Sequence, residues 1–196
     1  IDLEQLRHRY QIPLKAKLVV SVGRAHTNKA FDTLLYAFKQ IVLQNTGDDI
    51  YLIIVGSGPE LEPLKALSED LKIYEFVRFA GWQNQPSAFY QAADLFICPS
   101  RHEPLGNVIL EAWSHGCPVV STRTQGALEI GTHNRNCYLV DVDDIFALAK
   151  GILYVIENLL LRKKLSKNGY NKILTEFSKD TIIKRYIQVY DTLLNE

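Results

Sequence analysis

A chain of 196 residues, 47% hydrophobic and 22% charged, has room for one well-buried soluble domain. Its 22 Lys and Arg balance 22 Asp and Glu, which argues against a general nucleic-acid binder but leaves room for a local anion site. No apolar run reaches the roughly 18–20 residues that cross a bilayer, and the start carries no signal-peptide pattern.

Short apolar, β-branched runs recur along the chain, each followed by a segment of helical period. Lys17–Gly23 reads as a strand ending in Gly. Phe31–Val42 carries a helical stripe of Phe31, Leu34, Leu35, Phe38, Ile41 and Val42. Ile50–Gly56 is a second strand, and Pro59 is the expected start of a helix built on Leu61, Leu64, Leu67 and Leu71. Phe76–Gly81 is a third strand, Pro86–Ala93 a short helix, and Asp94–Cys98 a fourth strand stopped by Pro99. Gly106–His115 reads as a helix ended by Gly116. Pro118–Thr122 is a fifth strand and Cys137–Val140 a short sixth. Asp143–Asn158, Leu160–Phe177 and Lys179–Leu194 follow as three consecutive helices, with Ser178 and Asp180 as N-cap candidates near the last.

This alternation predicts an α/β fold: a doubly wound, Rossmann-like parallel sheet of about six strands with helices on both faces. No linker, repeat or low-complexity tract divides residues 1–196, so a single domain is expected. The chain begins with Ile and has no Met, which leads us to expect part of a longer protein. Cys98, Cys117 and Cys137 stand in apolar stretches without a ligand spacing such as C-x2-C. They are expected as buried free thiols, in a cytoplasmic setting and without a metal.

Ligands of such sheets bind at the carboxyl ends of the strands, so the loops after Gly23, Gly56, Gly81, Pro99 and Thr122 are the places to search. The first holds Arg24 and Lys29, a pair of cations suited to a diphosphate, beside Gly23, where a backbone approach is easy. Taken alone, two loop cations are more often solvated surface. The fourth loop runs from Pro99 into a helix starting at Gly106 and Asn107, whose free N–H groups form a ready anion site. Glu103 precedes that helix and Glu111 lies about one turn inside it. Glu111 pointing inward would be half-buried and would need hydrogen-bond donors such as ribose hydroxyls; pointing outward it would be an ordinary exposed carboxylate.

Val22-Gly23-Arg24, Lys29-Ala30, Ile54-Val55-Gly56-Ser57-Gly58-Pro59, Val77-Arg78-Phe79-Ala80-Gly81, Ala92-Ala93-Asp94 and Pro99-Ser100 occur in that order. Glu103 with Glu111, Gly116-Cys117-Pro118-Val119-Val120, and Gly126 with Glu129 complete the series. Together they resemble the C-terminal domain of the group 1 retaining glycosyltransferases, which have the two-domain GT-B fold. The resemblance covers nearly the whole chain. It implies that Arg24 and Lys29 bind the donor diphosphate, that Glu111 takes the ribose hydroxyls and that Glu103 contacts the transferred sugar. The backbone of Leu105, Gly106, Asn107 and Val108 would hold a phosphate. It also implies a separate N-terminal acceptor domain, and that one of the last helices, Lys179–Leu194 here, crosses back to it. An isolated donor domain would then bind nucleotide without turnover, with Ile182, Ile183, Tyr186, Val189, Tyr190 and Leu193 partly exposed.

The sequence departs from the family pattern at three points. The usual K-G is Lys29-Ala30, the usual E-G-F-G is Glu103-Pro104-Leu105-Gly106, and the usual Met of E-A-M is Trp113. Pro104 has no N–H to donate. Trp82 could lie near the nucleotide base, although a packed surface aromatic is the more ordinary reading. His26 and His102 stand in the same loops and could assist a phosphate; His8, His115 and His133 read as structural or surface residues.

The resemblance implies transfer of a hexose-type sugar from a nucleoside diphosphate sugar with retention, the leaving diphosphate being stabilised by cations and a helix end rather than a metal. No cofactor beyond the donor substrate is expected, and no Asp-x-Asp metal motif is present. A parent enzyme with a lipid-linked acceptor would sit peripherally on a membrane. The competing reading is a non-catalytic nucleotide-sugar-binding module. A plain Rossmann dehydrogenase is disfavoured because the first strand–helix turn lacks G-x-G-x-x-G.

Overall fold

Strands that are apolar on both sides need cover on both sides, and the computed structural model, which describes residues 3–44 and 49–194, supplies it. The strands are β1 (Lys17–Val22), β2 (Ile50–Val55), β3 (Val77–Gly81), β4 (Leu95–Cys98), β5 (Val119–Thr122) and β6 (Tyr138–Val140). They form one parallel sheet in the order β3-β2-β1-β4-β5-β6. The strand order reverses between β1 and β4, so the loops leaving these two strands part in opposite directions and open a crevice at their carboxyl ends.

The helices are α1 (Leu3–Arg9), α2 (Phe31–Gln44), α3 (Leu61–Asp70), α4 (Ser87–Ala92), α5 (Asn107–Ser114), α6 (Gln125–Ile130), α7 (Ile145–Glu157), α8 (Leu159–Glu176) and α9 (Lys179–Leu194). Period-two alternation sorts the strand side chains between two cores. Val19, Leu52, Ile54, Leu95, Ile97 and Val120 meet α2, α3 and α7 through Leu34, Phe38, Leu64 and Ile152. Leu18, Val20, Ile53, Val55, Phe96 and Val119 meet α1, α4, α5 and α6 through Leu6, Phe89, Ile109, Trp113 and Ala127. Cys98, Cys117 and Cys137 are buried free thiols in the second core. Burial pushes the Cys117 and Cys137 thiols far above their ordinary range, which keeps them protonated and inert.

All six expected strands form, with ends shifted by a residue at most. Two helices were not expected from the sequence. α1 buries only Leu6, too little to make an apolar stripe, and α6 opens on Gln-Gly, which hides its helical period. The expected helix start at Pro59 is also corrected. The helix begins at Leu61, because Gly58–Glu60 turn back onto the first loop: Glu60 N–H donates to Ala25 O at 3.1 Å and Leu61 N–H to Gly58 O at 3.1 Å. At the far end, Ser178 Oγ accepts from Thr181 N–H at 3.3 Å, the cap expected for α9.

Asp94, at the amino edge of β4, is a structural hub. It accepts from Leu18 N–H at 3.0 Å and from Arg162 at 2.9 Å, with Arg7 at 3.7 Å. That joins α1 and α8 to the sheet at the edge opposite the crevice. Among the described residues no helix is long and apolar enough to cross a membrane.

Candidate functional site

Five loops meet above the carboxyl ends of the strands. The backbone between two of them is so close that side chains are excluded: a Cβ on Gly56, which has φ +134°, would lie 1.9 Å from Gly23 O. Gly23 N–H donates to Val55 O at 2.9 Å and Ala25 N–H to Ser57 O at 3.0 Å, which locks the β1 and β2 loops together. A cleft of about 540 Å3 opens beside this contact, lined by Val22, Gly23, Arg24, Gly56, Gly58, Trp82, Gln83 and Pro86.

Arg24 is exposed on this cleft and has no ion pair among the described residues. Lys29 is placed differently. The first loop tightens into a 3-10 turn at Thr27–Lys29, whose His26 Nδ1 accepts from Asn28 N–H at 3.3 Å, so His26 acts as a cap. The alkyl chain of Lys29 lies along Gly23, and its ammonium forms a close ion pair with Glu103. Glu103 is only 8% exposed, so the pair is what makes its burial tolerable. The sequence placed both residues at the ligand side, and the structure brings them into contact with each other. Ala30, which stands where the family has Gly, adopts a left-handed conformation with φ 50°.

The fourth loop ends at α5. Gly106 is the N-cap at φ 69°, and no side chain caps the helix. Among the described residues, Asn107 N–H and Val108 N–H have no protein acceptor, so two donors and the positive end of the helix face the crevice. Gly126, on α6, fixes this loop: its N–H donates to Glu103 O at 2.8 Å, and a Cβ there would reach 2.6 Å from Gly106 N. Leu105 projects outward at 66% exposure, and His102 is exposed. Glu111 points outward rather than into the core. It is exposed, with Oε2 accepting from the Tyr90 hydroxyl at 2.8 Å. Trp82 is 70% exposed on the cleft wall, so it is not the packed surface aromatic that the sequence favoured. Trp113 is fully buried in the core, as expected.

Arg101, to which no role was assigned from the sequence, ties three of the loops together. Its guanidinium donates to Asp32 at 2.8 and 3.0 Å, to Asp143 at 3.0 Å, to Thr27 O at 2.8 Å and to Thr33 Oγ1 at 2.9 Å. Its own N–H donates to Asn28 O at 2.8 Å, so the segment carrying Glu103 is stitched to the turn carrying Lys29. The Arg101 hydrogen bond holds the Asp143 carboxyl below its ordinary range. The only signal in the sequence was an Arg after Pro-Ser, because its partners lie 42 and 69 residues away. Among the described residues no group of three or more His, Cys, Asp or Glu is arranged to hold a metal ion.

The family model for glycosyl transferases group 1 matches residues 2–172. The chain is 37% identical over 183 residues to LpsE, a lipopolysaccharide core biosynthesis glycosyltransferase of Rhizobium meliloti (strain 1021), covering 93% of this chain and 52% of LpsE. It thus spans about half the length of the curated relatives it matches. Among solved structures, Anabaena Alr3699/HepE in complex with UDP-glucose superposes with a TM-score of 0.85 at 24% identity, over 99% of this chain and 52% of that one. The C-terminal domain of the group 1 glycosyl transferase LpcC from Francisella tularensis superposes with a TM-score of 0.77 at 23% identity, over 91% of this chain and 94% of that one. With its motifs spread in order along a six-stranded sheet of that architecture, the chain belongs to the group 1 glycosyl transferases and has the fold of their C-terminal domain.

Proposed function

We propose that this chain is the donor-binding domain of a retaining hexosyltransferase, and that its donor is a uridine diphosphate sugar. The observation that carries the reading is that Arg24 on the cleft, without an ion pair among the described residues, the Lys29–Glu103 pair beside Gly23 of the cleft wall, and the uncapped N-terminus of α5 all stand in loops at the strand carboxyl ends. Paired cations and free N–H groups suit a diphosphate, whose charge grows as the bond to the sugar breaks. Arg24, Lys29 and the N–H groups of Asn107 and Val108 take that charge without a metal. When the diphosphate engages Lys29, Glu103 is freed to accept hydroxyls of the sugar. The family resemblance, not the exposed position of Glu111, assigns it the ribose hydroxyls, and Trp82 flanks the base. The uridine assignment is supported by the likeness in fold to HepE with UDP-glucose. The acceptor is bound by a further domain of the parent protein, so this chain holds the donor without transferring it. A cytoplasmic site of action fits the three reduced, buried thiols.

A thermal-shift panel of UDP, GDP, ADP and their sugars tests the reading. Ligand at about 100 times its dissociation constant adds roughly 2.7 kcal/mol of stability. The expected outcome is a shift with UDP and UDP-sugars; no shift with any nucleotide at millimolar concentration removes the donor-site assignment. Lys29→Ala should abolish the shift, but it also strands a buried Glu103 and so lowers the melting temperature of the free chain. Arg24→Ala is the cleaner variant, since Arg24 is exposed and has no ion pair among the described residues. It should weaken UDP binding about tenfold and leave the free chain's melting temperature unchanged.

A further inference from the structure

Tyr90 is a buried aromatic with one polar handle, and that handle is on Glu111. It sits on α4 at 1% exposure. Its ring lies 5.2 Å from that of Phe96 and is stacked on His115 at 5.7 Å with an interplanar angle of 11°. The hydroxyl reaches out of this packing and donates to Glu111 Oε2 at 2.8 Å. A buried phenol O–H needs an acceptor, and among the described residues Glu111 provides it.

The consequence falls on Glu111. A carboxylate on an exposed helix surface ordinarily moves among several rotamers, and holding it still for a ligand costs entropy on binding. The Tyr90 bond holds Glu111 before the ligand arrives. Each carboxylate oxygen has two acceptor positions. Oε2 therefore keeps one and Oε1 keeps both, enough for two neighbouring hydroxyls.

We infer that Tyr90 is a positioning residue for ribose recognition: its buried hydroxyl fixes the Glu111 carboxylate in the orientation that accepts the 2′- and 3′-hydroxyls of the donor nucleoside. Burial first, and then the Glu111 charge, push the phenol far above its ordinary range, so it remains a neutral donor at physiological pH. The inference rests on the donor-site reading above, in which Glu111 meets the ribose.

The experiment is calorimetric titration of UDP and 2′-deoxyuridine diphosphate into the unaltered chain, Glu111→Ala and Tyr90→Phe. The unaltered chain should prefer UDP by about tenfold, the factor expected for one hydrogen bond to a charged group. Glu111→Ala should bind both nucleotides alike. Tyr90→Phe keeps the ring in its packing and should lose most of the preference by weakening UDP more than 2′-deoxyuridine diphosphate, which has only its 3′-hydroxyl to place on Glu111. A merely structural role would weaken both nucleotides equally. Full preference in Tyr90→Phe, or equal weakening of both, overturns the inference and leaves the donor site standing. Equal binding of both nucleotides by the unaltered chain, or no binding of UDP, overturns the donor-site reading and the inference together. Should Tyr90→Phe unfold, the unaltered chain still decides the matter by proton NMR. The Tyr90 hydroxyl resonance should shift further on adding UDP than on adding 2′-deoxyuridine diphosphate; no difference between the two overturns the inference.

Discussion

An indole 70% exposed beside a glycine-lined cleft presents a flat apolar face to whatever enters that cleft. In the proposed donor site, Trp82 is one wall of a sandwich that the flat base completes. Stacking of a base on an aromatic side chain is worth about 1–3 kcal/mol by alanine substitution. Trp82→Ala should accordingly weaken UDP and uridine by a similar factor of tenfold or more and leave inorganic diphosphate binding unchanged, as read by competition titration. Loss of all three ligands together would make Trp82 a structural residue. At the same scale, Ala30 shows how a family position is kept when its usual glycine is lost. The left-handed turn that brings Lys29 to Glu103 persists at φ 50° with an alanine, which is strained there by its Cβ.

The elements contribute through their ends and their closest packings. α5 is the element that matters most, since its uncapped amino end forms the floor of the proposed phosphate site while its buried face carries Ile109, Ala112 and Trp113. What holds it from behind is α8. Gly169 of α8 lies against the indole of Trp113, and a Cβ there would stand 2.3 Å from Cδ1. Gly169→Ala should destabilise the chain by up to about 2 kcal/mol, the overpacking of about 1–3 kcal/mol less the helix propensity of roughly 1 kcal/mol that alanine restores. That loss would appear as a drop of several degrees in the thermal transition. Unchanged or raised stability would mean that α8 slides off α5 without cost, and UDP affinity would then be the more sensitive reporter of α5 position.

The molecule as a whole depends on Arg101, because it joins loops that are far apart in sequence and belong to both halves of the sheet. Asp143 is one carboxylate of this clamp. Its folded carboxyl lies below the ordinary range, so it contributes stability that is present above pH about 4 and is lost as pH falls through the folded value. Asp143→Asn keeps the left-handed backbone at φ 58° accessible and removes the charge. The melting temperature of the unaltered chain should exceed that of Asp143→Asn at pH 7, and the gap should narrow between pH 5 and pH 3. A gap that stays constant over that range would show that the hydrogen-bonding geometry, not the charge, is what Asp143 supplies. α9 sits at the same scale, with no buried residue and with Tyr186, Val189, Tyr190 and Leu193 exposed. The apolar face expected to be partly exposed is exposed at these four residues and at Ile183.

Periodicity and glycine placement made the architecture legible. Apolar runs such as Leu18–Val20 and Leu52–Val55 have no polar face, so only a sheet covered on both sides satisfies them, and the strand–helix alternation leaves few ways to connect it. The ordered motifs likewise disclosed the family, and with it Arg24, Lys29, Glu103 and Glu111 as the residues to watch. The tertiary structure decided what those residues touch. Lys29 pairs with Glu103, 74 residues on; Glu111 is exposed and held by Tyr90; Trp82 stands open on the cleft; and Arg101 fastens the loops. None of this is local. A side chain's partner across a loop cluster depends on where the sheet delivers each loop, and that placement exists only once strands distant in sequence have paired.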